Sequence, residues 1–124
     1  MLNKSTKNES AQNSALNMIG LGTLIKGDLT SDGDLRIDGK IEGDVISKSK
    51  IAMGASAEIR GNVNARSADI SGKIEGDVVI NETLFLRSSA KITGNITTAK
   101  LVIESGAEFN GTCIMSNKPL KAND

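Results

Sequence analysis

Six times along this chain one five-residue figure recurs: an apolar residue, any residue, a glycine, any residue and a second apolar residue. It reads Ile25-Lys-Gly-Asp-Leu29, Ile41-Glu-Gly-Asp-Val45, Ile59-Arg-Gly-Asn-Val63, Ile74-Glu-Gly-Asp-Val78, Ile92-Thr-Gly-Asn-Ile96 and Phe109-Asn-Gly-Thr-Cys113. The glycines fall at 27, 43, 61, 76, 94 and 111, in steps of 16, 18, 15, 18 and 17 residues. A longer repeat lies over the short one. Residues 37–63 and 70–96, offset by 33, are identical at 13 of 27 positions. A duplicated two-unit module accounts for both.

A unit of about 17 residues excludes most repeat folds, because helical repeats need about 33 or more and leucine-rich repeats about 20–29. Within each unit the apolar residues alternate in short bursts, as at Leu35 and Ile37, Ile51 and Met53, Leu84 and Leu86, and Leu101 and Ile103. That is the period of a strand. Three strands of about four or five residues, joined by corners, fill one unit; stacked units make a parallel β-helix of about six triangular rungs.

The stacking accounts for the residue choices. In a straight strand Ile25, Gly27 and Leu29 would share one face, and an inward glycine would leave a hole. A corner at each glycine removes the conflict, since glycine adopts positive φ without a Cβ clash. The next residue is Asp28, Asp44, Asn62, Asp77, Asn95 or Thr112. Asp and Asn suit turns, and stacking predicts a polar ladder along one edge in which Asn side chains hydrogen-bond and dilute like-charge repulsion. Ile25, Ile41, Ile59, Ile74, Ile92 and Phe109 form one apolar column; Leu29, Val45, Val63, Val78, Ile96 and Cys113 form another. Their largely β-branched character fits a pleated surface. The core is expected over 19–115, with flexible tails at 1–18 and 116–124, where polar residues dominate.

Several chemistries are disfavoured. The chain has no His, so Ser-His nucleophiles and imidazole metal sites are missing. An acyltransferase of the hexapeptide-repeat kind needs a catalytic His and strict sixes, and steps of 15 to 18 break that period. Gly39-Lys40 and Gly72-Lys73 are each followed by Ile, which does not make a phosphate loop. The segment 28–34 resembles the start of a calcium loop, but its twelfth position is Gly39, where a bidentate Glu is required. It is read as a corner and a turn. Glu42, Asp44, Glu75 and Asp77 recur at equivalent repeat positions, which marks them as structural. Cys113, the one cysteine, lies in an apolar column and reads as a buried, inert thiol. Fifteen basic residues balance fifteen acidic ones, and Phe85 and Phe109 are the only aromatics, so no nucleic-acid partner is expected. No apolar run reaches the ~18 residues of a membrane span. The N-terminal stretch lacks the apolar run of a secretory signal, which gives a cytoplasmic expectation.

With the repeat laid out, the chain resembles the bactofilins. The resemblance runs from about Met18 to Met115 and is carried by residues 23–29, 35–45, 57–63 and 106–113. It implies a right-handed β-helix that polymerises end to end, without nucleotide or other cofactor, into non-polar filaments. It further implies attachment to the inner membrane surface through a short N-terminal peptide, and a role in cell shape or in positioning cell-wall synthesis or remodelling proteins. The N-terminal peptide corresponds here to Met1, Leu2, Lys4 and Lys7. A β-helix end is a sheet edge with unpaired peptide groups, and no capping helix is predicted. The expected polymer interface is therefore Leu24 and Ile25 at one end and Phe109 and Met115 at the other, with Phe109 filling the end of the core, forming the contact, or both. The competing reading is a non-polymerising β-helical binding or acyltransferase-like module, which polar caps would favour.

Overall fold

The computed structural model describes residues 16–116. Among these there is no helix; every regular element is a strand. The chain coils through six rungs, and each rung lays one strand on each of three faces. The first face stacks Leu16–Ile19, Asp34–Ile37, Lys50–Met53, Ser67–Ile70 and the segments 83–86 and 100–103. The second stacks Leu24–Lys26, Lys40–Glu42, Glu58–Arg60, Lys73–Glu75, Lys91–Thr93 and Glu108–Asn110. The third stacks Leu29–Ser31, Val45–Ser47, Val63–Ala65, the segments 78–80 and 96–98, and Cys113–Met115. All pairings are parallel. Two long strands, Val78–Leu86 and Ile96–Ile103, turn from the third face of one rung into the first face of the next, which fuses those two faces into one sheet.

The first-face strands have the expected four residues, whereas those of the second and third faces have three, because corners take more of each unit. The corner between the second and third faces holds two residues in every rung, glycine and the polar residue after it. The other two corners vary. From the first face to the second there are four residues in the first, third, fifth and sixth rungs (as in 54–57) but only two in the second and fourth (38–39 and 71–72). From the third face to the next rung there are two residues or one. Glycine steps of 15, 16, 17 and 18 correspond to three, four, five and six residues in these two corners combined. The alternation of long and short corners produces the 33-residue repeat. Gly39 and Gly72, in the short corners, lie over the carbonyls of the long corners below; a Cβ on Gly39 would come 2.6 Å from the Thr23 oxygen and 2.7 Å from that of Gly20.

At the constant corner, Gly94 has φ near 142°, and a Cβ there would collide with the carbonyl oxygen of Gly76 one rung below. The column must be glycine for reasons of space as well as conformation. The residues after it form the expected polar ladder, with a different bond. Each side-chain oxygen accepts the backbone N–H of its counterpart in the next rung: Asp28 Oδ1 from Asp44 at 2.9 Å, Asp44 from Asn62 at 2.9 Å, Asn62 from Asp77 at 3.0 Å and Asp77 from Asn95 at 3.1 Å. Any residue with an Oδ1 serves, so Asp and Asn interchange.

The rod begins earlier than expected. Its first strand takes in Leu16, Asn17 and Met18, which the sequence reading places in the tail. Asn17 occupies the inward position aligned with Leu35 and hides the alternation. Its side-chain amide donates to Ser31 Oγ at 2.9 Å, and Ser31 donates to the Gly33 carbonyl at 3.1 Å.

The ladder bond makes a prediction. Asp77→Ala removes the acceptor of the Asn95 N–H and should lower stability by roughly 1 kcal/mol, whereas Asp77→Asn keeps the oxygen and should be nearly neutral. Paired thermal or denaturant melts measure both; equal losses would show that charge, not the acceptor, is what matters.

Candidate functional site

Burial is unevenly distributed along the rod. Twenty hydrophobic residues are buried, from Leu35 to Ile96, and all lie in the four middle rungs. The corresponding residues of the first and last rungs have a neighbour on one side only, and they are at best half-buried. Among the described residues, the coil therefore presents a section of its own core at each end. Both ends also offer strand edges: among the described residues, the strands of the first and last rungs pair on one side alone.

The two ends are chemically unlike. At the C-terminal end the inward positions are Leu101, Ile103, Ala107, Phe109, Cys113 and Met115, all apolar. Ile103 is 49% and Met115 53% exposed, although their column-mates Leu86 and Thr98 are fully buried. Phe109 sits directly over Ile92, half-buried against the core. At the N-terminal end Ile19, Ile25 and Leu29 share the inward positions with Asn17 and Ser31. Thus the structure brings Phe109 and Met115 together at one end and puts Ile25 in the other. Leu24 is elsewhere: it points outward from the second face, aligned with Lys40, on the side wall of the first rung. Met1, Leu2, Lys4 and Lys7 lie outside the described residues.

Sequence reasoning passed over Ile103 and Leu101 as surface candidates. Each is the last member of an apolar column, and following every column to its final rung would have found them. Cys113 is half-buried, and burial raises its thiol pKa; its Sγ lies 3.7 Å from Met115 Sδ. The segment 28–34 is divided between a corner, a strand and a turn. Its Asp28 is an acceptor of the polar ladder and its Asp34 accepts the Ser49 hydroxyl, the main cause of a lowered Asp34 pKa. Among the described residues no group of three or more Cys, Asp or Glu is placed to hold a metal ion, and no helix is long and apolar enough to cross a membrane.

The last three rungs are clamped on the first face. Arg87 makes a two-pronged contact with Asp69, at 2.9 and 2.6 Å, and reaches Glu104 at 3.1 Å, which also accepts the Ser88 N–H at 3.0 Å. The guanidinium lies 4.5 Å from the centre of the Phe85 ring. The hydrogen bonds from Arg87 hold Asp69 below the usual carboxylate range, against an opposing effect of burial. The C-terminal end is thus a braced plate.

A family model described as Bactofilin, polymer-forming cytoskeletal, matches residues 17–114. The chain belongs to the bactofilin family. Among curated proteins, bactofilin BacN of Myxococcus xanthus (strain DK1622) is 52% identical over 98 residues, covering 79% of this chain and 87% of that protein. No solved structure matches. For a bactofilin, a polymer-forming cytoskeletal protein, the parts of the coil that bear on function are the surfaces where copies meet, and the uncovered ends of the core are the leading candidates.

The clamp has a pH signature. A folded pKa below the unfolded value of ~3.9 contributes stability that is fully present above that value and is lost as pH falls through the folded one. Arg87→Met should lower the unfolding midpoint at neutral pH, and the gap from the parent should close below about pH 4. Melts across pH 2–7 (roughly the carboxylate range and above) test this; a gap independent of pH would assign the loss to packing on Phe85.

Proposed function

We propose that this bactofilin stacks end to end into non-polar filaments, without nucleotide or metal, and acts as a scaffold at the cytoplasmic face of the membrane that supports cell shape or positions cell-wall enzymes. The observation that carries the assembly is that full burial of apolar residues stops one rung short of each end. A side chain such as Ile103 or Met115 gains about 1.5–3 kcal/mol when fully covered, and the unpaired edges beside them gain partners in the same event. Contact between like ends is supported by their difference. An all-apolar plate matches a second apolar plate, and an isologous contact sets Phe109 near its own symmetry mate. The N-terminal ends, with Asn17 and Ser31 among their aliphatic residues, make the more polar and weaker joint.

Phe109→Arg should stop filament growth while leaving a β-rich chain, because opposed unpaired cations in a desolvated contact cost several kcal/mol. Ile103→Lys, at a more exposed site, should do the same with less risk to folding. The measurements are ultracentrifugation and circular dichroism, in buffer free of nucleotide and divalent ions. Dimers joined through N-terminal ends are the expected product. Long filaments from both folded variants would place the interface elsewhere, and a parent protein that stays monomeric would favour the binding-module reading.

Membrane attachment rests on Met1, Leu2, Lys4 and Lys7. Each lysine contributes about 1 kcal/mol near an anionic surface, and Leu2 about 1.5–3 kcal/mol if inserted. One copy binds weakly; a filament binds by avidity. Deleting residues 1–8 should release filaments from anionic liposomes without dissolving them, as co-sedimentation would report. Undiminished co-sedimentation of the truncated chain would exclude this anchor.

A further inference from the structure

We infer that the outer wall of the first rung is a lipid contact, an apolar ridge that enters the membrane surface beside the N-terminal peptide. The inference rests on the membrane reading above and adds to it a contact made by the folded rod itself.

Eight large hydrophobic residues are exposed among those described. Ile103 and Met115 belong to the C-terminal end, and Ile46 and Ile114 to the third face. The other four stand together on the outside of the first rung. Leu16 and Met18 point outward from the first face, Leu21 occupies the corner that follows, and Leu24 points outward from the second face. They are 60%, 65%, 78% and 51% exposed. The Thr23 N–H closes the corner on the Gly20 carbonyl at 3.1 Å, so Leu21 is held at the apex of a tight turn.

The fold does not ask for these side chains. Every later member of the columns of Leu16 and Leu24 is polar, beginning with Asp34 over one and Lys40 over the other. In the other long corners Ala55, Ser88 and Ser105 take the place of Leu21. An apolar wall is therefore peculiar to the first rung.

Shape, charge and position decide the occupant. The ridge is convex and wraps an edge of the rod, so it needs no groove shaped to receive it; a lipid interface accepts an apolar face of this kind. Lys26 and Lys40 border Leu24 and favour anionic headgroups. The acidic groups nearby are engaged: Asp38 accepts two bonds from Arg36, at 3.1 and 2.9 Å, and Asp34 accepts the Ser49 hydroxyl. Glu42, aligned with Lys26, lies one rung farther from the ridge. The proposed anchor joins the rod at Leu16, within the ridge, and the seven residues 9–15 span at most about 25 Å. An anchored copy thus keeps the ridge at the surface.

The chain has no Trp, so Leu21→Trp supplies a single fluorescent reporter. On vesicles of equal parts phosphatidylglycerol and phosphatidylcholine, its emission in full-length filaments should move to shorter wavelength and be quenched by lipids brominated in the acyl chains. Asn64→Trp, exposed on the third face, should show neither change. The double variant Leu21→Glu with Leu24→Glu, residues 1–8 intact, should need at least about tenfold more lipid for half-binding. Its circular dichroism and filament length should be those of the parent, since neither side chain is in the core. Unquenched Leu21→Trp emission, or unchanged vesicle binding of the double variant, would overturn the inference and leave the N-terminal anchor standing. Loss of filaments without loss of lipid binding would assign the ridge to contacts between copies, and so overturn it. Undiminished binding after deletion of residues 1–8, with Leu21→Trp still quenched, would support the ridge and remove the anchor. A parent that binds no vesicles would overturn both.

Discussion

Each rung of this coil is positioned by the peptide groups of the rung beneath it. At the constant corner the carbonyl of one glycine occupies the space a Cβ would need on the next. That single close approach dictates glycine at 43, 61, 76, 94 and 111, and it brings the following N–H within reach of an Oδ1 from the rung below. With the corner fixed, the apolar residues on its two sides fall into straight columns. The rung is therefore not a folding unit by itself. It acquires its shape from its neighbours, as in other solenoids, where stability is the sum of unit and interface terms.

The same dependence explains why so slight a core suffices. The interior is one side chain deep along each column and is filled mainly by Ile, Val, Leu and Ala, with Met53, Ser47 and Thr98 among them and no aromatic ring before Phe109. Stacked β-branched chains at a fixed spacing close-pack without large residues. A core built by translation has no natural surface at its ends, however. Closure has to come from a cap or from another molecule. The residues at the C-terminal end are of core type throughout, which suits a bactofilin, a member of a polymer-forming family.

Much of this was legible in the sequence. The glycine figure fixed the corner, and the columns named in advance are inward columns of the structure. The parts that were not legible have physical reasons. Asn17 stands where Leu35 stands in the next rung and masked the first strand. Leu24 and Ile25 are adjacent, but adjacent strand residues point to opposite sides, so only Ile25 belongs to the end of the core. The Asp and Asn ladder was foreseen as side chains meeting side chains; the nearer donor is the peptide N–H.

The paired long and short corners also set a unit of growth. Through the first four rungs a short corner rests on a long one, and copying a block of two keeps that alternation. Its duplication adds 33 residues and about 10 Å of rod, leaves three ladders in register, and touches neither terminus. Bactofilin rods of different lengths can thus arise by tandem copying of an interior cassette while both joining surfaces stay as they were.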